Sequence, residues 1–246
     1  MLNFKNKVVI VAGPTASGKS ALALLLAQKL NGVIINADSS QVYKEAPILT
    51  SSPTTADKNI IPHYLYNFTN LGYTFKVTEW LNLVTNIIDK TLASTKTPIL
   101  VGGSGFYIST LINGLSNIPE PSDTNKLKAE NILNTLGINK FRQLLLEIDP
   151  NFSNKINDPY RLKRAYSVFL ETNTPFSIWQ TQPKLHSLKH NYILIKLIPN
   201  RIVLYNKINE RFNTMLKDGT IKEALYIKQS NISSEYYKKI IGLIEL

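Results

Sequence analysis

The chain has 246 residues, 43% of them apolar and none of them cysteine, so it can bury a full core but can form neither disulfides nor thiolate metal sites. No run approaches the roughly 18 apolar residues of a membrane span. Residues 1–7 lack a secretory pattern, so a cytoplasmic protein is expected.

The formal charge of +11 is unevenly spread. Residues 1–120 hold nine Lys/Arg and six Asp/Glu, whereas residues 121–246 hold nineteen and eleven. A basic second half suits a polyanion such as nucleic acid, although charge bears on association and not on fold. The three histidines, His63, His186 and His190, lack zinc spacing, so any metal is expected to be held by oxygen, which suits Mg2+.

In chain order, the run Val8-Val9-Ile10-Val11-Ala12 predicts a buried strand. It leads directly into Gly13-Pro14-Thr15-Ala16-Ser17-Gly18-Lys19-Ser20 and then into an apolar helix from Ala21. Strand, glycine-rich loop and helix in that order make a phosphate-binding loop: backbone N–H groups cradle the oxygens, Lys19 meets the outer phosphate and Ser20 meets Mg2+. Gly32 ends the helical pattern, and Val33–Ala37 reads as a second buried strand that brings Asp38 to its carboxyl end. In an open parallel sheet that edge binds ligands. By placement alone Asp38 could be a general base, a metal ligand or the cap of a helix beginning near Ser39.

Residues 47–74 show no sustained period and read as an irregular binding segment that includes His63, expected to be structural or a hydrogen-bonding partner. Residues 76–95 carry a helical stripe (Val77, Trp80, Leu81, Val84, Ile87, Ile88, Leu92), followed by the strand Ile99-Leu100-Val101. Gly102-Gly103-Ser104-Gly105 then offers close backbone approach and a hydroxyl at a third strand end. Around residues 117–123 the composition turns to that of a linker. Helical patterns at 125–136, 139–147 and 159–171, with no convincing strand between 124 and 185, predict a helical insertion. There Arg161 and Arg164 could form a solvated helix face, and Tyr160, Tyr166 and Phe169 read more readily as core than as base-stacking platforms. Tyr192–Ile198 returns as a strand, and helices are expected at 201–216 and 221–229. The fold class is therefore α/β, with residues 1–117 and 190–246 as a P-loop core around a parallel sheet and 118–189 as the insertion.

The order GPTASGKS, DSSQVY, IPHYL, LVGGSGFY, IDPNFSNKINDPYRLKRAYSVFLET and RIVLYNKINERFNTML resembles tRNA dimethylallyltransferase, the family that prenylates adenosine 37 beside the anticodon. The resemblance runs from about residue 7 to residue 246. It implies a P-loop used for the diphosphate of dimethylallyl diphosphate rather than for ATP hydrolysis, Mg2+ as cofactor, and tRNA reading codons that begin with U as acceptor through its anticodon stem-loop. It also implies Asp38 as the catalytic base, Ser104 beside it, and Arg201 on the diphosphate. The tRNA contacts it implies fall on Asp38, Ser39, Ser40, Gln41, Ser104, Lys126, Asp158, Pro159, Tyr160, Arg161, Leu162 and Lys239. A monomer is expected.

The chain departs from the family pattern at several places. Ser20 and Ser104 stand where threonine is commoner, Glu45 for a glycine, Ser52 for a lysine and Leu243 for a tyrosine. Family members continue beyond Leu246 with a basic segment that contacts tRNA, so weak tRNA binding is expected of this chain. Competing readings are a small-molecule or nucleotide kinase, which would need ATP turnover and an arginine-rich lid, and a shortened remnant that binds tRNA without catalysis.

Overall fold

The computed structural model describes residues 3–153, 155–185 and 187–246. They divide into two compact units, one made of the residues up to Ile112 together with Leu188–Leu246, the other of Asn113–Ser187.

The first unit begins with β1 (Val8–Ala12), α1 (Lys19–Lys29) and β2 (Gly32–Asn36), continues through α2 (Thr55–Ile60), β3 (His63–Tyr64), α3 (Val77–Ala93) and β4 (Thr97–Gly102), and enters α4 (Gly105–Asn113). Its five-stranded sheet has the order β3-β2-β4-β1-β7, where β7 is Tyr192–Lys196, and every pairing is parallel. Ala12 is level with Gly102 and Lys196, and Asn36 with Val101. The loops after β1, β2 and β4 therefore leave from one edge. Val8 to Val11 are fully buried, as a strand covered on both faces requires, and α1 presses Ala23 and Ala27 onto the sheet. Gly32 permits this approach, because a Cβ there would stand 2.8 Å from Ile99 Cδ1 and 3.2 Å from Ala27 Cα.

After β7 come α8 (Arg201–Asp218), α9 (Thr220–Gln229) and a 3-10 turn at Ser234–Lys239. Ala224, Ile227, Ile240 and Leu243 pack against Val42, Tyr43, Ala46, Leu49 and Leu71, so the end of the chain closes a second core behind the segment that follows Asp38. Residues 47–74 are more ordered than their composition predicts. They contain α2, whose N-cap Thr54 forms a reciprocal capping box with Asp57, and the short edge strand β3.

The second unit holds β5 (Leu115–Ser116), α5 (Asp123–Ile148), α6 (Pro159–Thr172), α7 (Phe176–Thr181) and β6 (Lys184–Leu185). Helix α5 is interrupted at Gly137, which takes φ 72 and ψ 165 between the two stretches that read separately as helices. Ser122 caps α5, while Asp158 caps α6 ahead of Pro159. Ala129, Leu133, Phe141, Leu145, Leu162, Ala165 and Tyr166 form its core. Two elements here escape the sequence reading: α7, and β6, which pairs antiparallel with β5. Both are too short to show a period.

Candidate active site

The loop after β1 is built for an anion. Ala16 and Gly18 take positive φ (61 and 90), which turns successive backbone N–H groups inward, and α1 begins at Lys19 without a side-chain cap. Ser17 Oγ is buried without a hydrogen-bond partner, an uncommon and costly state for a hydroxyl unless a ligand supplies the acceptor. Gly13 cannot be larger, because a Cβ there would lie 2.7 Å from the Leu197 carbonyl oxygen and 2.8 Å from Ser17 Oγ. The Lys19 ammonium donates to the Pro14 carbonyl at 2.7 Å and so lies folded over the loop. Pro14 and Thr15 are exposed, and Ser20 stands exposed in the first turn of α1.

Asp38 follows β2 and is fixed by its neighbours. The fully buried Asn36 donates to the carbonyls of Asp38 and Leu65, each at 2.9 Å, and accepts the Asp38 N–H at 2.8 Å. Asn36 is itself anchored: its own carbonyl accepts the indole N–H of Trp80 at 2.9 Å. Asp38 Oδ1 accepts the Ser40 N–H at 3.0 Å, and Oδ2 has no hydrogen bond among the described residues. The loop after β4 closes on this carboxylate. A Cβ on Gly103 would sit 3.5 Å from Asp38 Oδ2 and 3.6 Å from the Gly13 carbonyl oxygen, so Gly103 marks where the phosphate loop and the carboxylate meet. Ser104 Oγ accepts the Ser39 N–H at 2.9 Å and donates to Ser39 Oγ at 3.2 Å.

Arg211, which the sequence reading misses, joins this group. Burial lowers the Lys19 ammonium from its ordinary value, the Asp38 charge opposes that and Arg211 adds to it. Burial likewise lowers the Arg211 guanidinium, against the Asp38 charge. The three groups therefore feel one another. Burial first, with the Asp38 charge contributing, also pushes the Tyr66 and Tyr107 phenols up, which keeps both neutral beside the carboxylate. Arg201 is placed differently: it is exposed, with its guanidinium 5.9 Å from the centre of the Tyr205 ring, and no described interaction ties it to Asp38 or Lys19.

The family model for IPP transferase matches residues 41–246. The chain is 40% identical to tRNA dimethylallyltransferase of Ehrlichia ruminantium over 94% of its own length and 77% of that protein's, and 41% identical to the enzyme of that name in Rickettsia bellii over 98% and 78%. This chain belongs to the IPP transferase family. Among solved structures, a eukaryotic dimethylallyltransferase acting on tRNA aligns with a TM-score of 0.75 at 28% identity, over 95% of this chain and 59% of that one. The full-length tRNA isopentenylpyrophosphate transferase of Bacillus halodurans aligns with a TM-score of 0.62 at 30% identity, over 94% and 72%. The sheet with its phosphate loop is thus the P-loop-like α/β fold of this family.

Family resemblance also points to residues for tRNA, and the structure treats them unequally. Ser39 and Ser40 lie in the turn at Asp38. The Gln41 side-chain amide is committed to the Thr50 and Ser51 carbonyls, at 2.9 and 3.1 Å, and so shapes residues 50–51. In the second unit Tyr160 is exposed, Asp158 accepts the Tyr160 N–H, and Arg161 pairs with Asp158 at 3.6 Å. Lys126 pairs with Glu120 and Asp123, and Arg164 with Glu120. Leu162 stands apart from these: it is fully buried, and its side chain packs in the core of the second unit. Lys239 donates to the Tyr73 carbonyl and Thr74 Oγ1 and lies 4.2 Å from the Tyr236 ring centre, fastening the 3-10 turn to the first unit's surface. His63 bonds the Ile61 carbonyl, His190 pairs with Asp89, and His186 lies outside the described residues.

No cluster of three metal-ligating side chains forms among the described residues, and no described helix is long and apolar enough to cross a membrane.

Proposed function

We propose that this chain transfers a dimethylallyl group from dimethylallyl diphosphate to N6 of adenosine 37 in tRNAs that read codons beginning with U. The observation that carries the reading is the meeting, at Gly103, of an anion-ready loop and a carboxylate with one unoccupied oxygen. The loop amides, Ser17 Oγ and Lys19 bind the donor's diphosphate and leave its C1 facing Asp38. The adenine leaves its stack to reach that point and is oriented along the Ser39, Ser40 and Ser104 edge.

As N6 forms its bond to C1, the bond from C1 to the diphosphate oxygen breaks and the N6 proton passes to Asp38 Oδ2. Charge grows on the leaving diphosphate. Lys19, Arg211 and the loop amides stabilise it there, electrostatic work done by groups already in position. Arg211 takes the role that resemblance suggested for Arg201. Ser20 supplies a hard oxygen donor of the kind Mg2+ prefers, so Ser20 Oγ with diphosphate oxygens would hold the ion, which would offset leaving-group charge. Tyr160, Arg161, Arg164 and Lys126 of the second unit are further candidate contacts for the anticodon stem-loop, and the enzyme works as a monomer in the cytoplasm.

The test is incubation of the purified chain with dimethylallyl diphosphate labelled in its prenyl group and unmodified tRNA, followed by nuclease digestion. Label on adenosine 37 is expected. Label passing from ATP to a small acceptor instead, or transfer that does not need Asp38, would refute the reading.

A further inference from the structure

A concavity of about 750 Å3 lies next to this group and is lined by no residue of the phosphate loop. Lys44, Lys58 and Arg211 reach it against one carboxylate, Asp218, while Pro47 and Met215 supply apolar wall. No carboxylate stands within ion-pair distance of Lys44, Lys58 or Arg211 among the described residues. Like charges around one hollow repel each other, and an anion between them turns that repulsion into binding.

The wall is held in place from two sides. The Glu223 carboxylate accepts the N–H groups of Ile48 and Leu49 at 2.9 and 2.8 Å, and Gln41 holds the next carbonyls. Two consecutive amides on one carboxylate fix a segment firmly, because bonds to a charged acceptor are about twice as strong as neutral ones. Arg211 belongs both to this cavity and to the group around Asp38.

We propose that the cavity is an outer anion subsite that receives inorganic diphosphate after it leaves the phosphate loop, with Arg211 serving both positions. The proposal rests on the prenyl-transfer reading for the origin of the diphosphate. Charge density favours this occupant over RNA backbone: diphosphate gathers several negative charges on one small ion opposite three cations, whereas each phosphodiester brings one.

Calorimetric titration of the full chain with inorganic diphosphate tests it. Two binding events are expected in the wild type. Lys19→Ala should lose the tighter and keep the weaker; Lys44→Ala combined with Lys58→Ala should keep the tighter and weaken the other at least about tenfold, as loss of charged hydrogen bonds predicts. A single event in the wild type, or an unchanged weaker event in the double variant, overturns the subsite. So does a double variant that loses anticodon stem-loop binding while keeping both diphosphate events, because the cavity would then belong to RNA. If Lys19→Ala spares the tighter event, the phosphate-loop assignment fails on its own, and the weaker event still reports on the cavity.

Discussion

Gly102 and Gly103 are neighbours in sequence with opposite surroundings, and replacing each by alanine separates the scaffold of the site from its chemistry. A Cβ on Gly102 would lie 2.0 Å from the Ala37 oxygen, 2.2 Å from its carbonyl carbon and 2.8 Å from its Cα. These are backbone atoms, so nothing can rotate away. The ends of β2 and β4 must separate, straining the bonds from Ala37 N–H to the Val101 oxygen at 2.8 Å and from Ser104 N–H to the Ala37 oxygen at 3.3 Å. Overpacking costs about 1–3 kcal/mol, and each weakened hydrogen bond adds about 0.5–1.5 kcal/mol. Gly102→Ala should therefore lose about 2–6 kcal/mol. With roughly 2–4 °C lost per kcal/mol in a chain of this size, melting should fall by about 10 °C. Transfer should fall by about a hundredfold, because Asp38 directly follows the displaced Ala37 and a shift of about 1 Å is enough. Gly103→Ala meets only ordinary contacts at 3.5 and 3.6 Å. It should melt like the parent or slightly higher, by the roughly 0.4–1 kcal/mol that a stiffer unfolded chain contributes. Its methyl group, however, fills space beside Asp38 Oδ2 that the acceptor nitrogen needs, so transfer should still drop. Calorimetry and the prenyl-transfer assay read both quantities. Gly102→Ala melting within about 2 °C of the parent, or Gly103→Ala being the less stable of the two, would refute the reasoning.

Asp38→Asn keeps the shape of the turn and removes the base; transfer should fall by about 10^2 to 10^4 while donor affinity holds, and a native rate would exclude Asp38 as proton acceptor. Arg211→Gln should weaken donor binding at least about tenfold, whereas Arg201→Gln should leave it near the parent value; the reverse result in a donor titration restores Arg201 to the diphosphate. In the second unit, Glu171 accepts from the Ser122 N–H, Ser122 Oγ and Asn125 Nδ2, which together hold its carboxyl below the ordinary glutamate range. A carboxyl lowered by folding stabilises above its unfolded pKa, and that contribution disappears as pH falls through the folded value. Acid melting followed by circular dichroism should thus show Glu171→Gln less stable than the parent near neutrality, with the gap closing below the ordinary glutamate range.

What was legible in the sequence divides along a physical line. The phosphate loop could be read because eight consecutive residues make it, and β1, β2 and β4 because full burial demands unbroken apolar runs. Asp38 and the glycines after β4 could be placed at one edge because parallel strands put their carboxyl ends together. The short elements α2, β3, α7 and β6 were not legible, since two to six residues cannot display a period. Their boundaries are set by caps and partners elsewhere.

Arg211 lies far from the loop in sequence, and motif reading favours the arginine that opens α8 over one inside it. A signal was present nonetheless. Leu204, Ile208 and Met215 are the partly sheltered side of a helix that buries no residue completely, and position 211 falls on that same side by helical spacing. An arginine on an inward stripe must have something to neutralise. Here the described residues give it no ion-pair partner, only the field of Asp38 opposite that of Lys19. A cation left unpaired on the inner face of a lightly packed helix is better explained by an anionic ligand than by stability, because burying it costs free energy that packing alone would not return. The opposite case is Leu162: its side chain lies on the buried side of α6, where an apolar residue is accounted for by packing alone.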